Sequence, residues 1–174
     1  MVTKDLLNPP LSPFYETEFG AAFLGDSRQL LAHVPDQSVN LIFTSPPFAL
    51  TRKKEYGNRN ADEYVDWFMD FAREFKRVLR GDGSLVIDLG GAYLPGHPVR
   101  ALYQFELLVR LCKELGFFLA QEFFHYNPSR LPSPAEWVTV RRIRVKDSVN
   151  VVWWLSLSEY PKADNRRVLK PYSE

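Results

Sequence analysis

The densest hydrophobic pattern in the chain runs from residue 61 to residue 79, where Tyr64, Trp67, Phe68, Phe71, Phe75, Val78 and Leu79 recur at intervals of three and four. That spacing winds an apolar stripe along a helix, and Gly81 just beyond it reads as the cap. Residues 99–115 carry a similar pattern and stop at Gly116, predicting a second long helix. A shorter helical spacing spans 29–34. Apolar, β-branched or aromatic runs at 21–24, 39–43, 85–89, 117–124 and 149–155 read as strands, the first two of them buried. The order is β-α-β-α-β-α-β, a long connection, then β, which favours an α/β sheet with helices on both faces. Residues 1–18 contain Pro9, Pro10 and Pro13 and follow neither period. They read as an extended arm, leaving 19–174 as the folded part.

Composition narrows the class without naming a function. A length of 174 residues suits one domain. The balance of 45% apolar and 25% charged residues is that of an ordinary globular protein. No apolar run approaches the roughly 20 residues of a membrane helix, and no basic-then-apolar signal opens the chain, so the reading is a cytoplasmic protein. One cysteine, Cys112, excludes an internal disulfide framework and a thiolate metal cage, and three scattered histidines have no ligand spacing. No metal is expected. The net charge of +1 conceals an asymmetry: residues 141–174 hold eight Lys/Arg against four Asp/Glu. The remainder holds fourteen against seventeen, by subtraction from totals of 22 and 21. A basic C-terminal part is either a solvated face or a surface for phosphates.

The segment with chemical content is Thr44-Ser45-Pro46-Pro47-Phe48, which leaves the end of a predicted buried strand. In open α/β sheets ligands bind at the carboxyl ends of strands. Two prolines fix two φ angles and remove two N–H donors, so the backbone offers acceptors without competing donors. Ser45 adds an oxygen and Phe48 an aromatic face, a combination suited to a flat amine. Read without context, the same residues could simply end the strand.

Ser45-Pro46-Pro47-Phe48 after Leu41-Ile42-Phe43-Thr44 resembles the catalytic motif of cytosine-N4 DNA methyltransferases, Ser-Pro-Pro followed by an aromatic residue. Gly25-Asp26-Ser27 before a short helix, Gly90-Gly91-Ala92-Tyr93 after the third strand, and the run from Asn127-Pro128-Ser129-Arg130-Leu131-Pro132 through Trp153-Trp154 are similar to that family in the same order. The resemblance covers roughly residues 14–174 and is closest to restriction-modification members whose catalytic motif precedes the cofactor motif. It implies a class I S-adenosylmethionine-dependent methyltransferase fold, a Rossmann-like sheet, with duplex DNA and S-adenosylmethionine as partners.

By that resemblance, Ser45 Oγ and the Pro46 carbonyl would accept the hydrogens of the cytosine N4 amine, whose lone pair is otherwise delocalised into the ring. Pro47 would stiffen the segment, and Phe48 would stack on a base flipped out of the duplex. Aspartate at position 45 would point to adenine N6 instead, which stays as an alternative activity. Cytosine-C5 chemistry needs a cysteine nucleophile after a proline, whereas Cys112 follows Leu111 in a predicted helix. Asp26 either caps the next helix or accepts a hydrogen bond from the cofactor adenine, and one carboxylate can do both. Gly90 and Gly91 let backbone approach the cofactor, or simply form a turn. Arg52, Lys53 and Lys54 on one loop, and Arg141, Arg142, Arg144 and Lys146 on another, would grip DNA phosphates or face solvent.

The resemblance also shows a departure. The family's Gly-rich cofactor turn, Phe-x-Gly-x-Gly, does not occur here. In the family strand order 3-2-1-4-5-7-6 the strands present would be 3 to 7, an incomplete sheet whose first two strands are not in this chain. The expectation is therefore an N-terminal catalytic half that needs a second polypeptide or segment for cofactor and target recognition. The alternative from a different class is a non-catalytic nucleic-acid-binding fragment.

Overall fold

The computed structural model describes residues 7, 11–49 and 61–172. Among them, four strands form one mixed sheet in the order β3-β4-β6-β5: β3 Val39–Thr44, β4 Leu79–Leu89, β5 Phe118–Tyr126 and β6 Val149–Ser156. β3 and β4 are parallel, while β6 runs antiparallel to both of its neighbours. This is the 4-5-7-6 run of the expected sheet. A separate ribbon pairs β1 Tyr15–Thr17 with β2 Gly20–Ala22.

That ribbon corrects two expectations. The apolar run at 21–24 predicts a buried strand of the sheet, but β2 pairs only with β1, and Leu24 is largely exposed. Part of the proline-bearing arm, Tyr15–Thr17, is a strand, because the residues that follow Pro13 are free to pair once the prolines end. After the ribbon comes α1, Ser27–Leu31.

The long helices are α2 Ala61–Val78 and α3 Tyr103–Lys113. Gly81 does not cap α2. The helix passes directly into β4 at Leu79, and its last carbonyls accept hydrogen bonds from the N–H groups of Gln37 (to Arg77, 3.0 Å) and Ser38 (to Val78, 2.9 Å). With those carbonyls satisfied by the loop before β3, no left-handed glycine is required. The glycine that the backbone does require is Gly83, where a Cβ would stand 3.0 Å from the Arg80 carbonyl and 3.1 Å from that of Asn40. α3 starts later than the periodicity suggests, since residues 92–101 fold back on themselves through Ala101 N–H to Ala92 O (2.9 Å) and Leu94 N–H to Val99 O (2.8 Å). Gly116 does follow α3 with φ of 72°.

Both long helices pack on one face of the sheet. Leu85, Ile87 and Leu89 of β4 and Trp153 and Leu155 of β6 are buried with Phe68, Met69, Leu107 and Leu111. An edge-to-face contact of Tyr64 with Tyr103, 4.8 Å between centroids, joins the two helices. Arg77 ties α1 to α2 by donating to the carbonyls of Leu31 (2.7 Å) and Val34 (2.9 Å) while paired with Asp36 and Glu74. The expected helices on the second face are not seen among the described residues: Leu41 is 56% and Phe43 69% exposed there. Because side chains alternate along a strand, the same face carries Val86, Val152 and Trp154, each only half-buried. No described helix is long and apolar enough to cross a membrane, and no described cluster of His, Cys, Asp or Glu has the makings of a metal site.

Candidate functional site

The parallel pair β3–β4 brings together the residues that follow their carboxyl ends. Thr44 pairs with Ile87, so Ser45 emerges beside the end of β4, with its side chain exposed. Pro46 is buried, Pro47 and Phe48 are half-buried, and Ala49 is 3% exposed. The segment is thus anchored from behind while its serine faces outward.

Three contacts hold it. The ring of Phe48 lies over Gly90 so closely that a Cβ at Gly90 would stand 2.6 Å from Phe48 Cε2. Glycine is required here for close approach rather than for an unusual φ. Asn150 Oδ1 shares the same space, 3.0 Å from that Cβ position. From the helical face, the buried Tyr103 hydroxyl donates to the Gly90 carbonyl, and the Ala49 backbone is within hydrogen-bonding reach of that hydroxyl. Burial pushes the Tyr103 phenol up to about 12, so it stays a protonated donor. Neither Tyr103 nor Asn150 stands out in the sequence. The tyrosine lies inside an amphipathic pattern that reads as core, and only its contacts reveal a polar task.

Asp26 caps α1, accepting from Arg28 N–H at 2.9 Å. The same carboxylate accepts from Arg28 Nη2 at 2.6 Å, and these hydrogen bonds hold it at about 2, well below the ordinary carboxylate range. Ser27 and residues Thr44–Pro47 border a cavity of about 260 Å³ whose other wall is aromatic, from Trp67, Phe68 and Phe71 of α2. Arg28 lies over the ring of Phe71 at 5.3 Å. The first and second predicted motifs therefore meet across one apolar, ring-lined space.

At Gly91 a Cβ would stand 2.6 Å from Arg100 Nη2, so protein atoms fill that space. Arg52, Lys53 and Lys54 lie outside the described residues. Arg141 pairs with Glu136 (2.7 Å) and stacks on Trp137, Arg142 is exposed at φ of 55°, and Arg144 donates to the Pro98 carbonyl at 2.7 Å. All three remain exposed on the connection between β5 and β6. Lys146 donates to the Pro128 carbonyl at 2.6 Å. Cys112 is part-buried against the core and its thiol is raised by burial, the opposite of an activated nucleophile.

This architecture, a mixed sheet in the order 4-5-7-6 with Ser-Pro-Pro-Phe at the first strand's end, is part of a Rossmann-like methyltransferase fold. A family model described as DNA methylase matches residues 39–174, and the chain belongs to that family. Type II methyltransferase M.PvuII of Proteus hauseri is 54% identical over 174 residues, all of this chain and 52% of that protein. Type II methyltransferase M.SfiI of Streptomyces fimbriatus is 28% identical over 76% of this chain and 34% of that protein. The solved structure of PvuII DNA methyltransferase (cytosine-N4-specific) overlays with a TM-score of 0.82 at 55% identity, covering 90% of this chain and 56% of that one. A Thermus thermophilus protein solved with S-adenosyl-L-methionine shares the fold at a TM-score of 0.58 and 22% identity, covering 83% of this chain and 56% of that one. The chain spans about half the length of M.PvuII and about a third of M.SfiI.

Proposed function

We propose that this chain carries the catalytic segment of a site-specific DNA methyltransferase that acts on the N4 amine of cytosine in duplex DNA within a restriction-modification system, in the cytoplasm. The observation that carries the reading is the placing of Ser45: exposed at the carboxyl end of β3, on a proline-stiffened segment whose Pro46 and Ala49 are buried. A cytosine amine donates its two hydrogens to acceptors, and Ser45 Oγ and the Pro46 carbonyl are acceptors on a backbone with no N–H at positions 46 and 47. Holding both hydrogens turns the nitrogen lone pair out of conjugation and toward an incoming methyl group. When bound, S-adenosylmethionine would supply that methyl group as an electrophile, the bonding pair staying on its sulfur as a neutral thioether, and the methylated amine would give up one of its two held protons to solvent. Pro47 fixes the approach of the segment, and Phe48, set on Gly90, offers a ring to the flipped base.

The residues present fit the adenine end of the cofactor. The Asp26 carboxylate, held ionised by Arg28, directly precedes Ser27, which borders the ring-lined cavity, and that cavity suits a flat heterocycle. Gly90 and Gly91 belong to the same reading as the turn that brings the end of β4 toward the cofactor. Arg141, Arg142 and Arg144, with Arg52, Lys53 and Lys54, grip DNA phosphates without reading sequence. The relatives' greater length, the unpaired edge of β3 and the exposed Leu41 and Phe43 together support a second polypeptide or segment that completes the sheet.

The test is transfer of labelled methyl from S-adenosylmethionine to duplex DNA, with the remaining part of the PvuII methyltransferase supplied in trans, followed by identification of the modified nucleoside. N4-methylcytosine is expected, and N6-methyladenine would overturn the base assignment. Ser45→Ala should lower the transfer rate at least about 100-fold while DNA affinity stays within about threefold. Unchanged activity in that variant would remove Ser45 from the chemistry.

A further inference from the structure

At Gly91, next to the glycine on which Phe48 packs, lies a pocket bordered by Arg100, Arg130, Ser133 and Asp147. Two guanidinium groups converge there on one carboxylate. Arg100 Nη1 stands 2.7 Å from Asp147 Oδ2, an ion pair whose angle is not that of a hydrogen bond, and Arg130 Nη1 stands 4.0 Å from Asp147 Oδ1. The carboxylate is 18% exposed and is neutralised by Arg100, which is itself oriented by the Tyr93 ring at 5.0 Å. Two positive charges against one negative leave the pocket with a net charge of one plus.

Arg130 is the group left with capacity. Its Nη1 donates to Asn150 Oδ1 at 3.1 Å, while its Nε and Nη2 have no hydrogen-bond partner among the described residues, and its side chain is only 29% exposed. A part-buried guanidinium with two adjacent donors has the geometry of a bidentate anion site. Asn150 connects this group to the reaction centre, because its Oδ1 shares with the Phe48 ring the space over Gly90. An anion held by Arg130 is therefore one residue removed from the ring that faces the base.

We propose that this pocket binds a phosphate of the nucleotide whose base is presented to Ser45, with Arg130 as the ligand, Ser133 contributing a hydroxyl, and Arg100 and Asp147 as the groups that orient it. The inference rests on the reading of Ser45 given above. It differs from the exposed arginines of the β5–β6 connection, which would meet the duplex at large: this phosphate belongs to the reacting nucleotide, so the pocket contributes to extracting it from the helix. A free anion or the carboxylate of S-adenosylmethionine shares the relevant chemistry, and the probes separate these sources.

The experiment titrates this chain, by amide and arginine side-chain NMR, with deoxycytidine 5′-monophosphate, deoxycytidine, inorganic phosphate and S-adenosylmethionine at low salt. The nucleotide should bind about tenfold more tightly than the nucleoside and shift Gly91 and Arg130, and Arg130→Gln should reduce that preference to below about twofold. Arg130→Lys, which keeps the charge and loses the fork, should retain part of it. If Arg130→Gln does not fold, Ser133→Asp keeps Arg130 but sets a carboxylate in the pocket that repels phosphate and competes for the guanidinium, and it should remove the preference equally. No preference in the wild-type chain, or a preference that survives both charge-altering variants, overturns the proposal. So does displacement of the nucleotide by S-adenosylmethionine from Arg130, or phosphate binding there that nucleotides do not compete for. A preserved phosphate preference in a chain that yields no methylcytosine with its second half supplied would refute the activity assigned to Ser45 and leave the anion site standing.

Discussion

The phenol of Tyr103 lies between the two backbone stretches that make the candidate site, Gly90 at the end of β4 and Ala49 at the end of the Ser-Pro-Pro-Phe segment. Removing the hydroxyl leaves a buried carbonyl without its donor, so Tyr103→Phe should destabilise the fold by about 1–3 kcal/mol in denaturant titration. Because the hydroxyl also fixes the segment, methyl transfer should fall about tenfold in kcat with KM for DNA nearly unchanged. A loss of stability with unchanged kcat would limit Tyr103 to packing. Gly90→Ala probes the same place from the other side. The added carbon would overlap the Phe48 ring, which must give way, and overpacking of this kind costs about 1–3 kcal/mol. The expected outcome is a displaced Phe48, seen as a changed ring-current shift, together with reduced transfer. The run Ser45-Pro46-Pro47-Phe48 and its place after β3 are legible in the sequence because its residues are contiguous. Tyr103, Asn150 and Arg130 are not, since each acts through a partner 13 or 20 positions away, as in the pairings Tyr103–Gly90 and Arg130–Asn150. Only the fold reveals such pairings.

Secondary elements are recovered where periodicity and burial agree. α2, with its aromatic stripe, and β6, with its apolar run, begin and end within two residues of their predicted limits. The errors cluster where an element's end depends on a distant segment. α2 ends without Gly81 because Gln37 and Ser38 supply the donors its last carbonyls need, and β4 starts six residues early because Leu79 pairs with Val39. The stability of α1 responds to acid through its cap. Its cap, Asp26, has a folded-state pKa of about 2, below the ordinary value of 3.8, so the ionised carboxylate is the form the helix favours. That contribution is fully present above pH 3.8 and is lost as pH falls through about 2. Exchange of the Arg28 amide should therefore lose protection over that window in wild-type protein. In Asp26→Asn, whose amide oxygen still caps, the same window should show no step.

Taken whole, the molecule has two unlike sheet faces. One is covered along β4 and β6 by α2 and α3, and the other presents Leu41, Phe43, Val86 and Trp154 beside an edge of β3 that pairs with no described strand, while β5 is exposed on both of its faces. The sequence alone could not show this asymmetry, because a strand meant to be covered on both sides is equally apolar on each. The consequence falls on two neighbouring indoles. Trp153 is 1% exposed on the covered face, whereas Trp154, next in the chain, points to the open face and donates from Nε1 to Ser84 Oγ at 2.8 Å. The strand thus holds two optical probes that look in opposite directions from the same point. With Trp67 and Trp137 replaced by Phe so that only this pair emits, a further Trp154→Phe change should leave the emission of Trp153 to follow unfolding alone, red-shifting only when the core opens to denaturant. In the same background Trp153→Phe should leave Trp154 to blue-shift when a second segment settles on the open face, with no denaturant present. The pair would let assembly be timed separately from folding in a single strand, without any attached label.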